Sequence, residues 1–205
     1  MSHYAVAVIS EEYPTEDVLN DILEPFDEGK PEEEYYIYMT KSEIIADAKE
    51  YAKKLKKAQE ENRLIIPSQI ELAEKLFNAK TDEDFYKINT YSDSVYDKDG
   101  NLLSKYNRNS KWDWWTIGGR WSGEFDGKDI MTVKELKDYV SEDVDNRRTY
   151  AILTSEGNWE EPGKMGWWGI SFANEEDEDN FTKKYIDLLN QEPEDYYVAI
   201  VDCHI

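Results

Sequence analysis

The two ends of this chain carry its most apolar, β-branched runs, and those runs constrain the fold more than anything between them. His3 to Ile9 (HYAVAVI) and Tyr196 to Cys203 (YYVAIVDC) set Val and Ile beside small residues, without Gly or Pro. Short continuous apolar runs of this kind predict fully buried strands, so the first and last strands are expected to be central and adjacent in one sheet. With helical stripes and short extended pieces between them, the expected class is α+β. We expect a single domain over 1–205, a mixed or antiparallel sheet with helices on one face, and a helical insertion at about 41–90. A chain of 205 residues can bury such a core without splitting.

Helix starts are marked chemically. Thr40-Lys41-Ser42-Glu43 is a capping box, followed by Ile44, Ile45, Ala48, Tyr51, Ala52 and Leu55 at helical spacing. Ser68 to Glu71 repeats that logic ahead of Ala73, Leu76 and Phe77, and Thr81 to Ile88 reads as a third, shorter helix. Thr132 to Glu135 opens a helix running to Val140. Asn174 to Asp179 (NEEDED) puts acids where a helix N-terminus is partly positive. Further strands are expected at Tyr35–Met39, Trp114–Ile117, Trp121–Phe125, Arg148–Thr154 and Gly166–Phe172. Asp97, Asp99 and Gly100 resemble part of a calcium loop, but the first ligand position falls on Val95 and no glutamate closes it. The Asp-Gly pair reads instead as a hairpin turn.

Charge narrows the partners. The formal net charge of -22 disfavours binding to nucleic acid backbones and anionic membranes. It leaves room for a basic host protein as partner, for mimicry of a nucleic acid surface, or for solubility alone. An aromatic content of 14% argues against disorder, because these rings need somewhere to pack. A single cysteine, Cys203, and an N-terminus with neither a basic n-region nor a long apolar run point to a reducing compartment, the cytoplasm of a host cell.

The two histidines, His3 and His204, stand at opposite ends of the chain. Strand alternation puts Asp202 and His204 on one face of the last strand and Cys203 on the other. If the terminal strands pair antiparallel, His3, Asp202 and His204 converge; if parallel, about 20 Å separates them. Such a cluster can hold a metal or do acid–base work as a catalytic set. The plainer alternative is two histidines in ordinary strands. The spacing matches no zinc or hydrolase motif. Nor is there a phosphate-binding loop, a dinucleotide fingerprint or a nucleophile elbow, so neither metal nor cofactor is expected.

Six of the seven tryptophans fall in two short stretches, KWDWWTIGGRW (Lys111 to Trp121) and KMGWWG (Lys164 to Gly169). Gly118 and Gly119 would let backbone N–H groups approach an anion, and Arg120 would grip it with two donors. The alternative is a tight junction whose Arg120 stacks on tryptophan and pairs with Asp113 or Glu124. The expected ligand site comprises Lys111, Trp112, Trp114, Trp115, Gly118, Gly119, Arg120, Trp121, Lys164, Trp167 and Trp168. Arg147 and Arg148 form a further basic pair in a loop, with no reason in the sequence to share that pocket.

Four motifs in order, the opening Met1 to Tyr4, SKWDWWTIGGRW (Ser110 to Trp121), GKMGWWG (Gly163 to Gly169) and the final VDCHI, together resemble a family of uncharacterised proteins of bacteriophages and mobile elements. The resemblance covers about a fifth of the chain and implies a setting rather than a reaction: an accessory, host-countering role. The leading expectation is a protein that sequesters a small nucleotide-derived ligand or immune messenger in a Trp/Arg-lined pocket. The alternatives are a hydrolase or phosphoesterase using His3, Asp202 and His204, and an acidic protein–protein inhibitor of a host factor.

Overall fold

The computed structural model describes residues 3–61, 67–163 and 173–205, with backbone alone for 67–69. Lys164, Trp167, Trp168 and the strand expected at 166–172 lie outside the described residues, as do Met1 and Ser2. The chain divides into two compact units, Met1–Pro31 with Asn107–Ile205, and Glu32–Tyr106.

In the first unit, strand β1 (His3–Ser10) runs antiparallel to β9 (Tyr197–His204) along its whole length, from His3 opposite His204 to Ser10 opposite Tyr197. On its other side β1 pairs in parallel with β7 (Ala151–Leu153), which pairs with β8 (Trp159–Glu160). Two short strands share the far edge of β9, β5 (Trp114–Ile117) and β6 (Ile130–Thr132). The sheet is therefore mixed, with β1 and β9 central and adjacent, as the apolar terminal runs require.

Both faces of these two strands are covered. Ala5, Ala7, Ile9, Val198 and Ile200 pack against helices α5 (Val133–Val140) and α7 (Glu175–Gln191) through Leu136, Val140, Phe181, Tyr185 and Leu189. Tyr4, Val6, Val8, Ala199 and Val201 pack against α1 (Glu16–Leu23) through Leu19 and Leu23. Helices thus lie on both faces, and the expected grouping on one face holds for α5 and α7. Both of these begin with a reciprocal capping box, Thr132 with Glu135 and Asn174 with Asp177.

The strand expected at Trp121–Phe125 does not form. Gly118 and Gly119 take φ of 67° and 54°, and Gly123, Asp126 and Gly127 are also left-handed. Extended pairing needs negative φ, so the chain makes a 3-10 turn at Gly119–Trp121 and further turns before re-entering the sheet as β6.

The second unit contains more than helices. It holds α2 (Lys41–Glu60), α3 (Pro67–Asn78) and α4 (Asp82–Ile88), packed through Ala48, Leu55, Ala73 and Leu76. It also holds a small antiparallel sheet of β2 (Tyr36–Met39), β4 (Leu102–Ser104) and β3 (Val95–Tyr96), so that the unit spans 32–106 while its helices run from Lys41 to Ile88. The Asp97–Gly100 segment is the hairpin turn between β3 and β4, with Gly100 at φ 84° and the Asp97 carboxylate accepting from the amides of Asp99 and Asn101. Among the described residues no helix is long and apolar enough to cross a membrane.

Candidate functional site

Residues directly opposite one another in an antiparallel pair project from the same face of the sheet. The registers place His3 of β1, His204 of β9 and Trp114 of β5 in one row across three strands. The imidazole centroids of His3 and His204 lie 4.9 Å apart in an edge-to-face arrangement. The Trp114 indole meets both rings edge-on, at 5.7 Å from His3 and 6.3 Å from His204. The next row on this face is Ala5, Asp202 and Thr116. Ala5 offers only a methyl group opposite Asp202, which leaves room for the carboxylate to lean toward His3.

Asp202 is 1% exposed and holds two donors. Its Oδ1 lies 3.0 Å from Nδ1 of His3, and its Oδ2 accepts the backbone N–H of Arg120 at 2.9 Å. That second contact explains the Gly-Gly pair. A β-carbon on Gly119 would sit 2.5 Å from both Cβ and Oδ2 of Asp202, and one on Gly118 would sit 2.5 Å from Oδ2 of Asp129. Asp129 is itself part of the turn: its carboxylate accepts the Ser122 hydroxyl and the Gly123 N–H, both at 2.8 Å. The glycines therefore let the turn close down on two aspartates, and one of these orients His3.

His204 has its own carboxylate. Asp113 Oδ1 lies 2.5 Å from His204 Nδ1, and the Asp113 N–H donates to the His204 carbonyl at 3.0 Å. The two histidines are thus alike: each has Nδ1 on an aspartate and each is about one-seventh exposed, at 14% and 15%. A carboxylate on Nδ1 fixes the tautomer and orientation of the ring and leaves Nε2 as the nitrogen open to other partners. Among the described residues neither Nε2 has a hydrogen-bond partner. The described residues contain no grouping of three His, Cys, Asp or Glu placed to hold a metal ion.

Of the residues expected to line one Trp/Arg pocket, Trp112, Trp114 and Trp115 border a cleft of about 350 Å³ with Glu16, Asn20, Asp113 and Thr116, and Arg120 and Trp121 are not in its lining. Trp114 and Arg120 are exposed, and Trp114 stands beside the histidines. Trp112 and Trp115 turn to the opposite face, packing around Leu19, Leu23 and Cys203, with Trp112 Nε1 donating to the Leu23 carbonyl at 3.1 Å. Lys111 is committed to a partly buried ion pair with Glu161 at 2.7 Å. The Arg120 guanidinium makes no hydrogen bond or ion pair among the described residues, with Asp113 taken by His204. Trp121 packs on the α5/α7 side of the core, and its Nε1–H is buried without an acceptor among the described residues.

Sequence reasoning singled out Arg147 and Arg148 as a basic pair without placing them at a site. Both line a cleft of about 430 Å³ together with His3, Ala5, Trp121, Glu124, Tyr139, Asn146 and Tyr150. They reach it because α6 (Val144–Arg147) leads directly into β7, the parallel neighbour of β1. The only sequence signal was their place just ahead of an apolar run. Arg148 is largely structural: it binds Glu178, Thr182 Oγ1 and the Thr149 carbonyl and lies over the Phe181 ring. Arg147 uses Nη1 on Glu142 and the Tyr139 carbonyl and lies over the Tyr139 ring, which leaves its Nε and Nη2 without acceptors among the described residues.

On the opposite face the last strand presents a thiol to the core. Burial, reinforced by the nearby Asp202 charge, pushes the Cys203 thiol far above its ordinary range. Burial likewise raises the Tyr4 phenol, whose hydroxyl donates to the Lys111 carbonyl. No family model, no curated protein and no solved structure matches this chain.

Proposed function

We propose that the paired histidines form an acid–base centre that cleaves a phosphoester bond in a small nucleotide-derived ligand. One observation carries this reading: two imidazoles lie in edge-to-face contact with centroids 4.9 Å apart, each with Nδ1 on an aspartate and Nε2 without a hydrogen-bond partner among the described residues. General acid–base catalysis of phosphodiester cleavage needs two groups of this kind, one neutral and one protonated. The neutral Nε2 takes a proton from the attacking water or ribose hydroxyl as the new P–O bond forms. The protonated Nε2 of the other ring gives its proton to the departing ribose oxygen as the old P–O bond breaks. The products are a phosphate ester and an alcohol, and exchange with solvent restores the starting protonation of the pair.

Two neighbours suit the substrate, and the overall charge does not exclude it. Arg120, whose guanidinium has no partner among the described residues, can take phosphate oxygens in a bidentate grip. Trp114 is 49% exposed and offers a ring on which a base can stack. The net charge of -22 opposes a long polyanion but acts weakly on a small one, because exposed charges beyond about 8–10 Å are largely screened. In the phage setting implied by the sequence motifs, the natural substrate is a nucleotide messenger of host immunity, and the outcome is its removal.

The test is turnover of a panel of nucleotide phosphodiesters, with products followed by chromatography. His3→Ala and His204→Ala should each lower kcat by about 10²–10⁴-fold, and the double variant should fall little further, because the two rings act as a unit. Arg120→Ala should raise KM while leaving the fold intact, since alanine keeps the N–H that Asp202 accepts. Binding of nucleotides without any turnover would favour sequestration over cleavage.

A further inference from the structure

Next to the histidine pair, the cleft bounded by His3, Trp121, Tyr139, Asn146 and Arg147 is not needed to hold a single phosphate, and its chemistry is that of a base-binding pocket. We infer that it is a nucleobase subsite, so that the substrate is a dinucleotide or short oligonucleotide rather than a mononucleotide; this rests on the phosphoester reading above. The volume, about 430 Å³, is in the range of small-ligand sites. Its walls are aromatic, with Trp121, Tyr139 and Tyr150, which suits the faces of a base.

Polar groups in the cleft match the edge of a base better than a second phosphate. Trp121 contributes ring surface to the lining, and its Nε1–H is buried away from the cleft. Arg147 has donor positions on Nε and Nη2 without acceptors among the described residues, and its guanidinium carbon lies 4.8 Å from the centre of the Tyr139 ring. Glu124, also in the lining, is an acceptor that would repel phosphate but can take the amino or imino hydrogens of a base. The charges of Arg147 and Arg148 are offset by Glu142 and Glu178, so little net positive charge remains for an anion. His3 belongs both to this lining and to the Trp114 row, which places one base position on either side of the reacting phosphate.

Binding calorimetry tests this without relying on turnover. Dinucleoside monophosphates with a phosphorothioate linkage are titrated against the wild-type protein, with nucleoside monophosphates as the comparison. The dinucleotides should bind at least about tenfold more tightly, since base stacking alone is worth that much. Trp121→Leu, which removes the aromatic wall, and Arg147→Gln should each erase most of that advantage while leaving mononucleotide affinity unchanged. Thermal melts establish that each variant is folded; if one is not, the other decides. Dinucleotides binding no better than mononucleotides, or both variants weakening the two ligands alike, overturns the subsite. Turnover without the contrast overturns the subsite and leaves the histidine reading standing. The contrast without turnover supports the subsite and removes the histidine chemistry.

Discussion

Gly119 and Asp202 are packed so closely that neither tolerates a β-carbon on the glycine: it would lie 2.5 Å from Cβ and Oδ2 of the aspartate. Gly119 is also left-handed, at φ 54°. Gly119→Ala therefore meets a steric and a conformational penalty together. The turn must move away from Asp202, and the Arg120 N–H moves with it. We expect a stability loss of about 1–3 kcal/mol by urea denaturation, with activity falling further than stability explains, because the orientation of His3 depends on the same contact.

The two aspartates should differ in weight. Asp202→Asn leaves a buried amide facing two donors, the Arg120 N–H and His3 Nδ1, where one amide oxygen replaces two carboxylate oxygens. By analogy with other carboxylate–histidine pairs, kcat should fall by about 10²–10⁴-fold with a folded protein. Asp113 is 44% exposed, and water can replace part of its contact with His204. Asp113→Asn should cost on the order of tenfold. Steady-state kinetics on both variants checks the order.

Cys203 should be inert in the folded protein. Its thiol is fully buried on the α1 side of the sheet, and burial holds it in the protonated form. A disulfide reagent at pH 8 should leave it unmodified in native buffer and label one thiol per chain in denaturant.

Acid should remove one identifiable increment of stability. Glu135 closes the α5 capping box and pairs with Lys128; the Lys128 hydrogen bond, then the Thr132 N–H, bring its carboxyl down to about 2. Its folded value lies below its unfolded value, so the stabilisation is present above about 4.5 and is lost as pH falls toward 2. The pair is at the surface, so the increment is no more than about 1 kcal/mol. Glu135→Gln keeps the capping hydrogen bond without the charge. The urea midpoint of the wild type should exceed that of the variant at neutral pH and converge on it between pH 4.5 and 2.

Much of the site was legible because it follows from two apolar strands. The runs at His3–Ile9 and Tyr196–Cys203 imply buried neighbours, and the antiparallel alternative brings His3, Asp202 and His204 together. Alternation within β5 also holds enough to direct Trp114 and Trp115 to opposite faces, although both border the same cleft with Trp112 at the sheet edge. Asp113 as the partner of His204 depends on the register of β5 on β9, which no local pattern encodes. The Gly118-Gly119 pair reads locally as an anion cradle, and only the packed structure reveals the aspartates that fill the space. Arg147 reaches the cleft through the parallel pairing of β7 with β1, a contact between segments about 145 residues apart.

The most direct measurement is binding of a nucleoside–vanadate complex, a five-coordinate mimic of phosphoester transfer, followed by ⁵¹V NMR and calorimetry. If both Nε2 atoms address one phosphorus, the complex should bind at least about 10²-fold more tightly than the matching nucleoside phosphate. His3→Ala and His204→Ala should each abolish that advantage while ordinary nucleotide affinity persists. Vanadate binding no tighter than phosphate, or unchanged when either histidine is removed, would contradict the acid–base centre.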